Sequence, residues 1–134
     1  MIFLDSSFLI AYYNSTDEHK NKALDIMDNL IADKYGTPYI SDYVFDEVVT
    51  ILFVRNKDKS IATTLGEILR ESLEIINVNE ELFGNAWTLF RNQKDTNFSF
   101  TDCTNLAIMQ YKGILQIATF DEDFTKSKGI KVVS

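Results

Sequence analysis

Asp5, Glu47, Asp102 and Asp121 are spread over most of a 134-residue chain, and each sits inside or beside an apolar stretch: MIFLDSSFLIAYY, DEVVTILF, FSFTDCTNLAIM and IATFDEDF. If folding gathers such acids, their charges must be answered. Two carboxylates about 4 Å apart repel by about 4 kcal/mol at an effective dielectric of 20. A converging set therefore needs protons or cations. Ligands that are all oxygen, with no Cys or His among them, select a hard ion, Mg²⁺ or Mn²⁺. Such an ion in an acidic pocket activates water and clamps phosphate oxygens for in-line attack, which is phosphoryl-transfer chemistry.

Other chemistries lack their residues. His19 is the only histidine and Cys103 the only cysteine. A pair of catalytic histidines and an intrachain disulfide are excluded, and a His-rich zinc site has no ligands. Cys103 reads as a small buried hydrophobe. His19, in NSTDEHKNK, reads as a solvated helix residue. The net charge is −7, from 20 acids and 13 bases. That argues against a passive nucleic-acid binder, which is usually basic. It leaves room for an enzyme whose acids hold cations, because a bound ion inverts the local field. The first apolar run has no basic leader and is broken by Asp5, so it is not a signal peptide. No stretch approaches the roughly 20 apolar residues that span a membrane. The expected location is the cytoplasm, and the expected organisation is one domain over 1–134.

The elements that must position the acids follow from periodicity. MIFL is a continuous apolar run and reads as a short buried strand. Phe8, Leu9 and Tyr12, then Ala23, Ile26, Met27, Leu30 and Ile31, recur at helical spacing. Ser15, Thr16 and Asp17 offer a cap that divides this region into two helices, and Gly36 is expected to end the second. TPYIS reads as the second strand. Ser41 or Asp42 caps a helix to about Arg55, and Lys57 and Asp58 open another. LEIINV is the third strand. Glu80 to Arg91 is a helix with Leu82, Phe83, Ala86, Trp87 and Phe90 along one stripe, and Trp87 is expected in the core. A helix from Thr101 to Tyr111 stops at Gly113. ILQIATF is the fourth strand, DEDFTKSKG a connection with one helical turn, and IKVVS the last strand. Strands alternating with helices predict an α/β fold with a central parallel sheet. Sites in such folds form at the carboxyl ends of strands, where strand order reverses.

Each acid also has an ordinary structural reading. Asp5 is a good N-cap. Glu47 lies at the edge of an apolar helix face and can reach water. Ser99 and Asp102 have the spacing of a capping box. Asp121 and Asp123 can build a turn. Taken together, the four segments resemble the acidic motifs of the PIN domain family, in the family's order and with its separations, from Asp5 to Phe124. The resemblance implies a three-layer α/β/α sandwich and a metal-dependent ribonuclease using Mg²⁺ or Mn²⁺, often the toxin of a VapBC toxin–antitoxin pair. It assigns Asp5, Glu47, Asp102 and Asp121 as metal-binding and catalytic acids, with Ser6, Thr119 and Asp123 in support.

Two further readings share the fold: an RNA-processing nuclease that is not a toxin, and a catalytically silent metal- or RNA-binding module. A receiver or a haloacid-dehalogenase-like phosphatase fits less well. The phosphatase wants an acid where Ser7 stands, and the receiver wants a late strand-end Lys that IATFDEDF lacks. RNA contact falls to local basic patches, Arg55, Lys57 and Lys59 or Lys126, Lys128 and Lys131. Tyr12, Tyr13, Tyr43 and Phe53 are expected to be partly exposed, receiving an antitoxin segment or a second protomer of a homodimer.

Overall fold

A computed structural model describes residues 1–134. Five short strands form one all-parallel sheet: β1 (Ile2–Leu4), β2 (Pro38–Ser41), β3 (Glu74–Ile76), β4 (Gln116–Ala118) and β5 (Lys131–Val133), in the order β3-β2-β1-β4-β5. Six helices connect them: α1 (Ser6–Tyr13), α2 (Lys20–Ile31), α3 (Asp42–Asn56), α4 (Lys59–Ser72), α5 (Glu80–Asn92) and α6 (Phe100–Lys112). A 3₁₀ turn, Glu122–Lys126, precedes β5. The chain moves from β1 outward to β3, then returns past β1 to β4. Right-handed crossovers therefore put α1–α4 on one face and α5 and α6 on the other. This is the expected α/β/α sandwich. Its topological switch point lies between β1 and β4, where Phe3 pairs with Ile117 and Leu4 with Ala118.

The sheet is short and wholly apolar at its centre. Ile2, Phe3, Leu4, Ile40 and Ile117 are buried, and Phe8, Leu9, Ile108 and Phe124 close over them from both layers. Burying a side chain of this size contributes about 1.5–3 kcal/mol. Phe124, on the 3₁₀ turn, packs against Phe98 with ring centroids 4.8 Å apart. That contact fixes the turn carrying Asp121 against the loop that leads into α6.

Ser41, Asp58, Ser99 and Gly113 cap as the sequence offers, and Asn79 caps α5 beside them. Ser41 accepts from the Val44 N–H, Asp58 from Ser60 and Asn79 from Leu82. Ser99 and Asp102 make the full capping box at α6, and Gly113 stops it with φ +68°.

Three expectations are corrected. The second helix is not capped by Ser15, Thr16 or Asp17. It starts at Lys20 after His19, and Asp17 instead accepts from the His19 N–H across a tight turn, at 2.8 Å. Gly36 does not end that helix, which stops at Ile31 with Ala32 as its cap. Its glycine is required elsewhere: φ is +72°, and a Cβ would lie 2.8 Å from the Met1 backbone nitrogen. Trp87 is not core. It is half exposed and stacks on Phe90 at 5.7 Å, outside the layer that Leu82 and Ala86 bury.

Candidate active site

Asp5 follows the last residue of β1 and caps α1, so backbone geometry places it at the switch point. It is buried, and its carboxylate is held from three elements. Oδ2 accepts from Ser7 Oγ at 2.6 Å, from Thr119 Oγ1 at 2.8 Å and from the Ser7 N–H at 3.4 Å. Oδ1 accepts from Asn105 Nδ2 on α6, at 3.2 Å. The two hydroxyls are themselves oriented. The Phe120 N–H donates to Ser7 Oγ and the Asp121 N–H to Thr119 Oγ1, both at 3.0 Å. The segment after β4 is thereby tied to the segment after β1. Burial pushes the Asp5 carboxyl above the usual carboxylate range, although these hydroxyls favour its charged form.

The other three acids come from α3, from the first turn of α6 and from the segment after β4. Asp102, in the first turn of α6, is pushed up to about 6, by burial first and then by the charges of Asp5 and Asp121. Its Oδ2 is engaged in the capping box, accepting from the Ser99 N–H at 2.7 Å and Ser99 Oγ at 2.8 Å. Glu47 reaches over from α3 and accepts from Ser6 Oγ at 2.8 Å through Oε1. Asp121 accepts from the Asp123 N–H at 2.9 Å through Oδ1. Each of the three thus fixes one oxygen within the protein, while Asp102 Oδ1, Glu47 Oε2 and Asp121 Oδ2 carry no hydrogen bond.

The gathering is incomplete. No three His, Cys, Asp or Glu side chains stand ready-made to hold an ion. Glu47 and Asp121 line one open cavity of about 360 Å³ together with Ser6, Asp17, His19 and Arg55. Asp5 lies buried behind them. Asp123 points elsewhere: its carboxylate accepts from the Asn97 N–H at 2.6 Å and pairs with Lys126 Nζ at 2.5 Å.

The donor set nevertheless fits a hard divalent cation. Every candidate ligand is a carboxylate oxygen, three of them are unengaged, and the charges of Asp5, Asp102 and Asp121 oppose one another in a partly desolvated place. Beside Asp5, Asn105 Oδ1 is the one buried side-chain polar atom with no partner. Buried polar atoms are nearly always satisfied, by protein, water or ion.

Comparison with known proteins bears on this arrangement. The PIN domain family matches residues 2–129. The chain is a PIN domain. Over 132 residues it is 29% identical to the 23S rRNA-specific endonuclease VapC20 of Mycobacterium tuberculosis, covering 98% of both chains. It is 22% identical to a VapC ribonuclease of Archaeoglobus fulgidus, over 92% of this chain and 85% of that one. The crystal structure of VapC20, a toxin that cleaves the sarcin-ricin loop, superposes with a TM-score of 0.84 at 28% identity over the whole of both chains. A toxin–antitoxin complex from Klebsiella pneumoniae has the same fold, with a TM-score of 0.71 at 18% identity, over all of this chain and 97% of that one.

Several residues of this PIN domain's site were not legible as site residues. Ser7 and Asn105 hold Asp5 directly. Asn105 carried a signal, because it lies three residues after Asp102 and so on the same helix face. His19 is not a solvated helix residue. It lies at the mouth of the cavity with its ring stacked on Phe120, centroids 4.4 Å apart.

Proposed function

We propose that this PIN domain is a metal-dependent endoribonuclease, the toxin of a VapBC-type pair, acting on 23S rRNA as VapC20 does. What supports the reading is the family match over residues 2–129 together with a buried Asp5 at the β1/β4 switch point, whose charge, with that of Asp121, bears on Asp102, while Glu47 is held by the neighbouring Ser6. Mg²⁺ or Mn²⁺ would be held by Asp5, Glu47, Asp102 and Asp121. When bound, such an ion lowers the pKa of a water and withdraws charge from the phosphodiester.

The chain's own residues do the positioning. Ser7, Thr119 and Asn105 donate to Asp5 and fix its carboxylate, and the two hydroxyls favour its charged form against the burial that raises its pKa. Ser6 aims Glu47 by holding one of its oxygens. Ser99 does the same for Asp102, so the capping box and the ligand role share one side chain. Asp123 supports from the next turn, tying Asn97 and Lys126 together and steadying the strap that bears Asp121.

An antitoxin fits the apolar cavity of about 350 Å³ between α1, α2 and α4, lined by Tyr12, Tyr13, Met27, Leu30 and Ile68. Tyr12, Tyr13 and Tyr43 are partly exposed and Phe53 more so. The second copy of a homodimer fits the exposed aromatic face of Phe83, Trp87 and Phe90. No helix is long and apolar enough to cross a membrane.

The test is cleavage of purified 23S rRNA by the protein with Mn²⁺ or Mg²⁺, run beside EDTA and beside Asp5→Asn. Loss of cleavage in both controls supports the reading. Cleavage that survives Asp5→Asn removes it. A folded, metal-binding protein that cleaves no RNA favours the silent-module reading instead.

A further inference from the structure

We propose that His19, Phe120 and Arg55 form a nucleotide-anchoring subsite on the rim of the acidic cleft. The stacked rings carry an unpaired RNA base, and Arg55 takes an adjoining phosphate. This rests on the ribonuclease reading and names how the substrate is gripped.

The His19 ring lies 8° from parallel on Phe120. Both ends of the stack are anchored. The His19 N–H is held by Asp17, and the Phe120 N–H by the same Ser7 hydroxyl that donates to Asp5. The platform is therefore rigidly linked to the buried carboxylate. The imidazole stands at the N-cap of α2 and makes no capping hydrogen bond; its one polar neighbour is the exposed Glu18 carboxylate, 3.4 Å from Nε2. The His19 side chain remains 38% exposed, which leaves a ring face open beside the cavity. Aromatic rings at a cleft edge are where single-stranded bases stack, whereas duplex bases are already stacked on each other.

Arg55 lies on α3, eight residues beyond Glu47, and lines the same cavity as His19 and Asp121. It makes no ion pair, although acids share that lining. A free guanidinium matches phosphate oxygens in a planar, two-pronged way. A chain of net charge −7 needs such a local cation to admit a polyanion. Lys126, from the other expected basic patch, is already engaged by Asp123 and by the Asp95 carbonyl. Stacked base and paired phosphate together describe one single-stranded nucleotide next to the acids.

The experiment measures initial rates on purified 23S rRNA with Mn²⁺ for the wild type, His19→Ala, His19→Phe and Arg55→Gln. Losing a base–aromatic stack weakens binding by about 5- to 150-fold. His19→Ala should raise KM by about tenfold with kcat within about twofold, and His19→Phe should restore most of it. Arg55→Gln should raise KM several-fold and lower the salt dependence of binding by about one ion. A wild-type KM in His19→Ala overturns the proposal. So does a His19→Phe variant as impaired as His19→Ala, which would assign the role to a ring nitrogen. If the wild type cleaves nothing, the function reading fails by itself. The subsite is then judged by fluorescence anisotropy with a labelled 12-nucleotide single-stranded RNA. Weaker binding of that RNA by His19→Ala upholds the subsite, and equal binding overturns it. His19→Ala also removes the contact with Phe120, so its thermal midpoint should fall by a few degrees, and binding is compared well below that midpoint.

Discussion

Asp5 and the other three acids are the same chemical group in two different settings. Asp5 is buried, and both its oxygens are held by four donors from three elements. Glu47, Asp102 and Asp121 are each held by one oxygen and keep the other unengaged. The inner acid is fixed by the protein. The outer acids are aimed but unfinished, and no trio of them is closed around a point. The difference teaches where a divalent cation does its structural work. An ion held there would add little order at Asp5 and would offset the charges of Asp5 and Asp121, which, after burial, hold the Asp102 carboxyl up at about 6.

Breaking the inner setting should have the largest effect. Asp5→Asn keeps the shape but removes the charge, and metal-assisted stabilisation is worth several kcal/mol. RNA cleavage should fall by about 10²-fold or more, with the circular dichroism spectrum unchanged. Removing one outer acid's free oxygen should cost less. Glu47→Gln keeps the contact with Ser6 and should lower kcat by about 10- to 100-fold, read in the same assay at saturating Mn²⁺.

The support beneath Asp5 comes next. Thr119→Val is nearly isosteric, yet it takes a donor from Asp5 and an acceptor from the Asp121 N–H. Leaving buried polar groups unpaired costs about 1–3 kcal/mol. The thermal midpoint should fall by several degrees, and the midpoint is read by calorimetry.

The smallest effect is the sharpest test of the outer setting. Asp102 has a folded-state pKa above its unfolded value of 3.8, so the folded chain binds its proton more tightly. Its contribution is present at low pH and is lost as pH rises from about 4 through 6. Asp5 is raised too and acts in the same direction. Metal-stripped protein should therefore lose a few degrees of midpoint between pH 4.5 and 7, and Asp102→Asn should flatten that slope. Asparagine keeps an oxygen for the Ser99 N–H, so the cap survives the substitution.

The line between what the sequence told and what it withheld follows the range of the interactions. Asp5, Ser41, Asp58, Ser99 and Gly113 act on neighbours within four residues, and their roles were legible from spacing. The parallel sheet followed from the alternation of strands and helices. Trp87 shares a helical stripe with Leu82 and Ala86, but a stripe says nothing of how far the opposing layer extends, and the layer stops short of it. Gly36 reads as a helix end because nothing local reveals the approach of Met1. Ser7, Asn105 and His19 find their roles through partners about 100 residues away in sequence, from Ser7 to Phe120, Asn105 to Asp5 and His19 to Phe120. Only the folded switch point brings these together.

The most direct test of the central claim is Mn²⁺ titration of EDTA-stripped protein by calorimetry, at pH 6 and pH 7.5, for the wild type and Asp102→Asn. If the outer acids close around an ion, the wild type binds Mn²⁺ and Asp102→Asn binds it at least tenfold more weakly. Asp102 is half protonated near pH 6, so binding there should release about half a proton more than at pH 7.5. Absence of binding, or equal binding and equal proton release in Asp102→Asn, would contradict the account.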